Sequence, residues 1–417
     1  MKDWRKSKLG DIAVISYGYT AKASVENVGS KFLRITDIQN DNVNWSSVPY
    51  CPVNEDDFKK YKLIDQDIVF ARTGATTGKS YLVCDPPEAV AASYLIRLRL
   101  KDSTIDAKFI SKYFQTKEYW DNIFSGISGS AQGGFNASKL SELVIPIPPL
   151  PEQKRIVAIA DEAFEGIDRA IRNTEKNLSN ARELFESYLN SIFTQKGDGW
   201  EEKKLEDICS IKHGFAFKGE FFTTDKSKYI LLTPGSFYES GGYRNQGEKT
   251  KYYIGEIPDS FILKKGDFLF AMTEQAVGLL GSSLIVTESD KFLHNQRLGL
   301  VEVKNDFKWH NDFFFHQFNT KNFRAAVQSS ASGVKVRHTS PKKLGAIPVY
   351  FPSTIAKQKV IADNLNELYT ETQRLENIYR QKIAALKELK QSILQKAFTG
   401  ELTVRLRSPT TADKGEK

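Results

Sequence analysis

A glycine-rich stretch in the first half of the chain has the residue types of a phosphate-binding loop. It reads Gly74-Ala75-Thr76-Thr77-Gly78-Lys79-Ser80. Loops that hold a nucleotide need four residues between their glycines, and this one has three, so ATP binding is not expected. Two weaker roles are equally supported. Exposed amides beside Arg72, Thr73 and Lys79 would contact a DNA phosphate, or the stretch is a plain turn between strands.

Other catalytic arrangements are incomplete. Asp85-Pro86-Pro87 resembles an amino-methyltransferase motif, but Glu88 stands where an aromatic residue should hold the base, which favours a surface turn. Asp259 and Asp306 have the side chains of a nuclease site, but they are far apart in the sequence. The other copy of the repeat described below lacks them, so a nuclease site is not expected. The three cysteines and five histidines have no disulfide or metal-ligand spacing and suit a reducing cytoplasm. The sequence therefore predicts neither a catalytic centre nor a cofactor in this chain.

Several loops carry side chains that suit DNA. The net charge of +8 is compatible with a polyanionic partner, although charge alone does not decide the matter. Direct readout of bases needs Arg, Lys, Asn, Gln, Ser or Thr on loops at a groove, and each such loop has a structural role as its alternative. The candidate contacts are Tyr19, Lys22, Arg34, Thr36, Arg72, Thr73, Lys79, Ser130, Gln132, Asn136, Phe217, Lys218, Gln296, Arg297, Lys335, Arg337 and His338.

The elements that must position these loops occur twice. Residues of the opening segment return about 200 positions later at the same intervals, and later segments follow in the same order. The clearest matches are Trp4 with Trp200, Leu9 with Leu205, Gly18 with Gly214, Asp67 with Asp267, Gly78 with Gly278, Thr116 with Thr320, and Gln153 with Gln358. The protein therefore consists of two copies of one unit.

Each copy begins with a mixed front part. The run 94–100 alternates polar and apolar residues, as a half-buried strand does. Segments 106–124 and 310–328 each predict one helix. Prolines in 145–149 and 347–352 forbid helix and mark the end of each front part. Strands are predicted at 32–36, 67–71 and 94–100, with counterparts at 229–233, 267–272 and 292–303.

Each copy ends in a long helix. Apolar or small residues recur in steps of three and four from Ile156 to Ile192, with Tyr188 among them, and again from Ile361 to Ala397. This spacing predicts a coiled-coil seam, with Ile383 substituting for the misplaced Lys382. A helix of ~42 residues is ~63 Å long and needs a partner for its apolar stripe. The other copy's helix, running antiparallel about a pseudo-twofold, is favoured over packing on its own front part.

Two similar heads on a rod, in a basic chain, suggest two half-sites on DNA. Leu150-Pro151-Glu152-Gln153-Lys154-Arg155 opens one long helix, and 386–402 closes the other. Both resemble the conserved helical regions of the specificity (S) subunit of type I restriction–modification systems. The Trp-x4-Leu-x-Asp-Ile openings resemble the start of its target recognition domains. The resemblance covers Trp4 to Leu402, and Thr354-Ile355 departs from it by lacking the Pro-Glu pair.

The resemblance implies a fold and a role. The fold class is α/β (α+β), with two similar mixed target recognition domains separated by two long helices that form an antiparallel coiled coil. Each domain would read one half of a bipartite, asymmetric site in double-stranded DNA, and the helices would fix the spacer. The subunit would be noncatalytic, cytoplasmic and free of membrane. It would dock two methyltransferase subunits that use S-adenosylmethionine and, in the full complex, two restriction subunits that use ATP and Mg.

The expected organisation has five parts. They are target recognition domain 1 at 1–150, the central helix at 151–195, target recognition domain 2 at 196–352, the C-terminal helix at 353–402 and a flexible tail at 403–417. Two other functions stay open on the residues alone. One is a self-sufficient NTPase or nuclease, and the other is a coiled-coil assembly protein whose heads bind proteins.

Overall fold

The structure is a computed structural model that describes residues 4–39, 42–128, 134–275, 277–333 and 336–404. Most of the tail expected at 403–417 lies outside these residues. The chain divides into two compact units. Unit 1 is Met1–Glu175 together with Gln381–Lys417, and unit 2 is Lys176–Arg380. We call residues 4–147 head 1 and residues 200–352 head 2.

Head 1 combines short strands with short helices. Its strands are β1 Arg5–Lys8, β2 Ala13–Tyr17, β3 Ser30–Leu33, β4 Ile38–Gln39, β5 Asn42–Val43, β6 Tyr50–Cys51, β7 Ile68–Ala71, β8 Ser80–Leu82, β9 Ala89–Ala91, β10 Leu95–Leu100 and β11 Val144–Ile147. Its helices are α1 Leu9–Ile12, α2 Glu55–Tyr61, α3 Ala107–Tyr113, α4 Lys117–Ser128 and α5 Ala137–Ser141. The long helix α6, Leu150–Gln195, follows.

Head 2 is built from the same kinds of element in a similar order. Its strands are β12 Trp200–Lys204, β13 Cys209–His213, β14 Phe222–Thr223, β15 Tyr229–Leu231, β16 Tyr252–Tyr253, β17 Phe268–Ala271, β18 Thr273–Glu274, β19 Ser283–Ile285, β20 Phe292–Leu293, β21 Leu298–Val303, β22 Arg337–His338 and β23 Pro348–Pro352. Its helices are α7 Leu205–Ile208, α8 Asn311–Phe318, α9 Lys321–Ser330 and α10 Pro341–Gly345. The chain continues into α11, Ile355–Phe398, and α12, Glu401–Val404.

The main sheets of the two heads correspond strand by strand. The main sheet has the order β2-β10-β7-β8 in head 1 and β13-β21-β17-β19 in head 2. In each head the first strand pairs antiparallel with the last, β1 with β11 and β12 with β23. Each head also contains one parallel pair, β3 with β9 and β15 with β20. The prediction that the chain contains two copies of one mixed fold is confirmed.

The single helix expected at 106–124 is two helices, and the same correction applies at 310–328. The Thr116 hydroxyl accepts a hydrogen bond from the Tyr119 amide at 3.2 Å, so it starts α4 afresh after α3 has ended. Thr320 does the same for α9 by accepting from the Phe323 amide. Threonine is a good helix N-cap, and this repeated Thr is the signal that marked the break.

Strand β10 is buried on both faces over residues 95–98, rather than half-buried. It lies between β2 and β7 in the main sheet. Arg97, on the face expected to meet water, is 9% exposed, and its guanidinium donates to the carbonyls of Lys60 and Lys62 at 3.1 and 2.9 Å. Burial lowers the pKa of Arg97, and the two carbonyl acceptors satisfy part of its charged fork.

Segments of the two long helices pack side by side within each unit. In unit 1, Lys390 Nζ lies 3.0 Å from Asp168 Oδ1. In unit 2, Arg182 Nη2 lies 2.9 Å from Glu376 Oε2, and the rings of Phe185 and Tyr369 have centroids 5.4 Å apart. Along α6 the residue number rises between these contacts while the partner number on α11 falls. The helices are therefore antiparallel, as predicted.

The seam between the helices departs from prediction at two positions. Leu389 of α11, expected in the seam, is 48% exposed. Tyr188 is 42% exposed, and Leu189, one residue later, is 5% exposed instead. The steps of four from Phe185 to Leu189 and Phe193 turn this end of α6 toward head 2, where the ring of Phe193 packs against Phe313 at 5.3 Å. In α11 Ile383 is half-buried at the seam and Lys382 is exposed, as expected.

A buried glutamine fixes the start of each long helix. Gln153 is fully buried, its Nε2 donates to the carbonyls of Pro148 and Thr104, and its Oε1 accepts from the Asp106 amide at 2.8 Å. Gln358 in α11 repeats the pattern with the carbonyls of Pro352 and Lys308 and the amide of His310. The second helix thus begins at Ile355 without the Pro-Glu pair, because the glutamine supplies the anchor.

Each head shares one apolar core with the helix segments of its own unit. In unit 1 the ring of Phe398 from α11 packs on Phe109 at 4.9 Å and on Tyr113 at 5.4 Å. In unit 2, Leu189 and Leu365 are buried in the core of head 2. Within the described residues no helix combines the length and the apolar character that crossing a membrane requires.

Candidate nucleic-acid interface

Loops that are distant in the sequence meet at one end of the main sheet of head 1. The amide of Gly18, after β2, donates to Leu95 O at 2.9 Å, and the amide of Tyr19 donates to Ala91 O at 2.7 Å. The amide of Arg72, after β7, donates to Tyr94 O at 3.2 Å. These bonds place the loops after β2, β7 and β9 side by side.

A fourth segment joins this group. The amide of Phe135 donates to Arg72 O at 2.9 Å, and the amide of Ala137 donates to the Tyr17 hydroxyl at 3.3 Å. We call residues 17–22, 72–79, 92–94 and 134–137 the loop end of head 1. Ser130 and Gln132, both predicted contacts, lie outside the described residues.

Head 2 builds its loop end by the same backbone bonds. The amide of Phe215 donates to His294 O at 2.9 Å, and the amide of Met272 donates to Arg297 O at 3.0 Å. The amide of Thr339 donates to Met272 O at 2.9 Å, which brings in the segment after α9. The loop end of head 2 is formed by residues 213–218, 272–275, 294–297 and 336–339. Lys335, a predicted contact, lies outside the described residues.

The repeated glycine of each opening segment is required by this convergence. A Cβ at Gly18 would lie 2.2 Å from Ala92 O, and one at Gly214 would lie 2.2 Å from Asn295 O. Neither distance is compatible with a side chain, because backbone meets backbone there. The glycines therefore hold the loops together, and the neighbouring residues carry the side chains that are free to act.

Most of the predicted contacts reach the surface. Four others are half-buried: Tyr19, Arg34, Arg72 and Arg337. Arg34 pairs with Asp37 at 2.7 Å, in a turn directly after Leu33, whose carbonyl accepts from the Ala92 amide. The exposed ones are Lys22, Thr36, Thr73, Lys79, Asn136, Lys218, Gln296, Arg297 and His338.

Three more predicted contacts have structural partners. Phe217 is 7% exposed and packs edge-on against Tyr253 at 4.7 Å, so its ring cannot stack on a base in this conformation. The side chain of Asn136 caps α5 by accepting from the Lys139 amide at 2.9 Å. The guanidinium of Arg337 donates to Gln328 O at 2.7 Å and also faces a buried carboxylate.

That carboxylate belongs to Glu274 and organises the loop end of head 2. Its side chain is 1% exposed, and Oε1 lies 3.6 Å from Arg337 Nη1. Its Oε2 accepts from the amides of Gly278 and Leu280 at 3.0 and 2.8 Å. Glu274 thus ties the loop after β17 to the segment that carries Arg337, and sequence reasoning missed it because head 1 has Gly74 at this place.

The phosphate-loop lookalike is a turn between β7 and β8. The amide of Thr77 donates to Gly74 O at 3.1 Å, that of Gly78 to Ala71 O at 2.9 Å, and that of Lys79 to Thr76 O at 3.0 Å. A phosphate cradle needs amides that are free, and these three are not. The expectation that they contact a phosphate is therefore wrong for them, whereas the exposed side chains of Thr73 and Lys79 stay candidates.

Two exposed tyrosines of head 1 are not among the predicted contacts. Tyr17 is 41% exposed and Tyr94 is 61% exposed. Both sit beside Arg72, whose Cζ lies 4.9 Å from the centre of the Tyr17 ring. Tyr94 begins the predicted strand 94–100, and this position was the available signal for it.

Two titratable side chains of head 2 are buried and have strongly shifted pKa values. His294 is fully buried with Nε2 3.0 Å from Leu298 O, and burial lowers its pKa to about 4. Burial likewise raises the pKa of the Cys209 thiol to about 12. Within the described residues, no group of three or more His, Cys, Asp or Glu side chains is arranged to hold a metal ion.

The repeated architecture agrees with a comparison of sequences. The family described as type I restriction modification DNA specificity domain matches the chain twice, over residues 1–178 and 197–386. The chain belongs to this family. Each half carries one DNA specificity domain, and the resemblance found in the opening and helical motifs is confirmed.

Individual relatives span different shares of the chain. It is 24% identical to the putative type I restriction enzyme MjaX specificity subunit of Methanocaldococcus jannaschii over 97% of this chain and 95% of that subunit. It is 28% identical to the EcoBI specificity subunit of Escherichia coli over 54% of this chain and 44% of that subunit, less than half the length of that relative.

Solved structures show the same fold at low identity. A chain from a study of complex assembly and conformational transition in the type I R-M system superposes with a TM-score of 0.76 at 16% identity, covering 96% of this chain and 99% of that chain. The HsdS subunit from Thermoanaerobacter tengcongensis gives a TM-score of 0.55 at 16% identity, covering 96% of this chain and 98% of the other.

Proposed function

We propose that this chain is the DNA-reading subunit of a type I restriction–modification complex and that each head reads one half of a bipartite site. The observation that supports this most is the pair of equivalent loop ends. The amide of Arg72 bonds to Tyr94 O in head 1, and the amide of Met272 bonds to Arg297 O in head 2. The same backbone arrangement therefore holds the loops together in both heads.

The side chains on that frame differ between the heads. Head 2 has Met272 where head 1 has Arg72, Arg297 where head 1 has Tyr94, and His213 where head 1 has Tyr17. Bases are distinguished by side-chain donors, acceptors and methyl contacts at the edges of the grooves. Loop ends with different side chains would therefore read different sequences. The two half-sites would then differ, and the whole site would be asymmetric.

The long helices would set the distance between the half-sites. Helix α6 has 46 residues and α11 has 44, so each is roughly 65–70 Å long at 1.5 Å per residue. Both helices contribute to both units, and each pairs with the other inside each unit. A paired helix resists bending far better than a loop, which suits a fixed spacer.

The exposed faces of the helices would dock the methyltransferase subunits. Leu184 is 65% exposed, Val360 is 60% exposed and Leu389 is 48% exposed, although each lies on a paired helix. Apolar side chains left in water on an otherwise paired helix favour a further partner. The partner would bind S-adenosylmethionine and methylate adenine, and restriction subunits with ATP and Mg would join the full complex. This chain would supply recognition without catalysis, in the cytoplasm.

The proposal is tested by mapping modified adenines. The chain is co-expressed with its methyltransferase subunit in a host that lacks adenine methylation, and genomic DNA is sequenced by a long-read method that detects methyladenine. We expect one motif with two defined half-sites and an undefined spacer. The control omits this chain and should leave adenines unmodified. The same motif without this chain, or no motif with it, would contradict the proposal and favour protein-binding heads.

A further inference from the structure

Arg72 is the one feature of the loop end of head 1 whose geometry suggests a particular base. Its guanidinium lies over the Tyr17 ring, with Cζ 4.9 Å from the ring centre. Two other arginines of head 1 face carboxylates: Arg34 pairs with Asp37, and Arg99 pairs with Asp67. Within the part of the chain that the structure describes, no carboxylate lies within ion-pair distance of Arg72.

The backbone around this pair is fixed from three sides. The amide of Arg72 donates to Tyr94 O at 3.2 Å, and its carbonyl accepts from the Phe135 amide at 2.9 Å. The hydroxyl of Tyr17 accepts from the Ala137 amide at 3.3 Å. Both side chains therefore start from anchored positions, so ordering them on a ligand costs little conformational entropy.

A guanidinium on an aromatic face has a defined plane. Its fork of N–H donors matches two acceptors side by side, and in the major groove guanine offers such a pair in O6 and N7. A contact to a DNA phosphate would need the positive charge of the guanidinium but would not need its plane to be oriented. We propose that Arg72 reads a guanine in the half-site recognised by head 1 and that Tyr17 positions the guanidinium. This inference rests on the proposed function and names the base that one head selects.

Head 2 supplies the matched substitution. It carries Met272 at the place of Arg72, with the same backbone hydrogen bond to the loop before the next strand. Arg72→Met removes the fork and introduces an unbranched apolar side chain that the equivalent backbone position carries in head 2. Arg72→Lys keeps the charge and loses the planar fork. Tyr17→Phe keeps the ring, and Tyr17→Leu removes it.

The experiment uses the complex of the full chain with its methyltransferase. The wild-type motif is first mapped on genomic DNA. Methyl transfer is then measured on duplexes that carry the motif and on duplexes with each base pair of both half-sites replaced in turn. We expect wild type to prefer guanine at one position by about 5- to 150-fold, the range for a bidentate contact. Arg72→Met should lose that preference and keep all the others.

The remaining variants separate positioning from charge. Arg72→Lys should retain only part of the preference, Tyr17→Phe should retain it, and Tyr17→Leu should reduce it. Thermal unfolding and co-purification with the methyltransferase check that each variant is folded and assembled.

Two results would overturn the inference alone. One is that Arg72→Met leaves the preference for guanine unchanged at every guanine of both half-sites. The other is an equal loss on all duplexes with a weaker dependence on salt, which would make Arg72 a phosphate contact. If the wild-type complex has no bipartite motif, the proposed function fails and this inference fails with it.

Discussion

Shortening the paired helices should move the half-sites together. Removing residues 171–177 from α6 and residues 381–387 from α11 takes one heptad from each helix at facing positions. The seam stays in phase because seven residues are close to two turns. Neither segment includes Phe164 or Phe398, which pack against head 1, nor Phe185, which packs in unit 2.

The size of the effect follows from helix geometry. Seven residues at about 1.5 Å each shorten the pair by about 10 Å. Base pairs are spaced by about 3.4 Å, so the accepted spacer should shorten by at most about 3 base pairs. Over that length the duplex turns by roughly a third of a turn, and we therefore expect slower methylation as well as a shorter spacer.

The assay is adenine mapping with the deletion variant in place of the wild-type chain. Both half-sites should keep their sequences while the number of undefined bases between them falls. Deleting 171–177 alone is the control, since it puts the two helices out of register and should abolish methylation. A variant that keeps the original spacer at full activity, or one whose half-sites change, would refute the idea that the helices set the distance.

Three further predictions concern stability. Gln153→Ala and Gln358→Ala should each lower the free energy of unfolding of their own unit by about 2–4 kcal/mol, because a buried amide and two carbonyls lose their hydrogen-bond partner. Urea denaturation measures this loss. A loss below about 0.5 kcal/mol would contradict the anchoring role. Because the folded-state pKa of His294 is about 4 and its ordinary value is 6.5, the neutral side chain stabilises head 2 above pH 6.5, and this contribution is lost as the pH falls toward 4. The free-energy difference between wild type and His294→Gln should therefore change by about 1.4 kcal/mol per pH unit across that window, and a constant difference would be inconsistent with a buried neutral imidazole. Asp168→Ala should lower the free energy of unfolding by about 1 kcal/mol or less, measured by thermal or urea denaturation, because Asp168 and Lys390 are partly exposed and water screens the ion pair. A loss of several kcal/mol would contradict this and mean that the pair is needed for the helices to associate.

Repetition in the sequence identified the framework of the protein. The matched pairs include the glycines where backbones touch, Gly18 and Gly214, and the glutamines that anchor the long helices. Both copies need these residues for the same physical reason, whatever sequence they read. The fold class and the antiparallel helices could therefore be predicted from the sequence.

Repetition could not identify the residues that distinguish the heads. Arg72 and Met272 occupy equivalent places and share no chemistry, so no pattern links them. Glu274 is likewise a feature of one copy, and its burial depends on loops that meet only in the fold. The side chains that select a base are expected to be the ones that differ.

Local patterns also fail where the surroundings decide. The alternation in 94–100 predicted a half-buried strand, but β10 is an inner strand, and Arg97 is buried with carbonyl partners supplied by residues distant in the sequence. Segments 106–124 and 310–328 were each predicted as one helix because their apolar residues continue across the break between two helices. Thr116 and Thr320, which cap the second helix of each pair, were visible in the sequence.

The most direct test of two independent readers is to make the heads identical. Residues 200–352 are replaced by residues 4–147, so that head 1 occurs twice on the same pair of long helices, and modified adenines are mapped as before. Because both heads would then carry the same side chains, the account predicts a site whose two half-sites are the same sequence. A variant that still methylates an asymmetric site at the original spacing would contradict it.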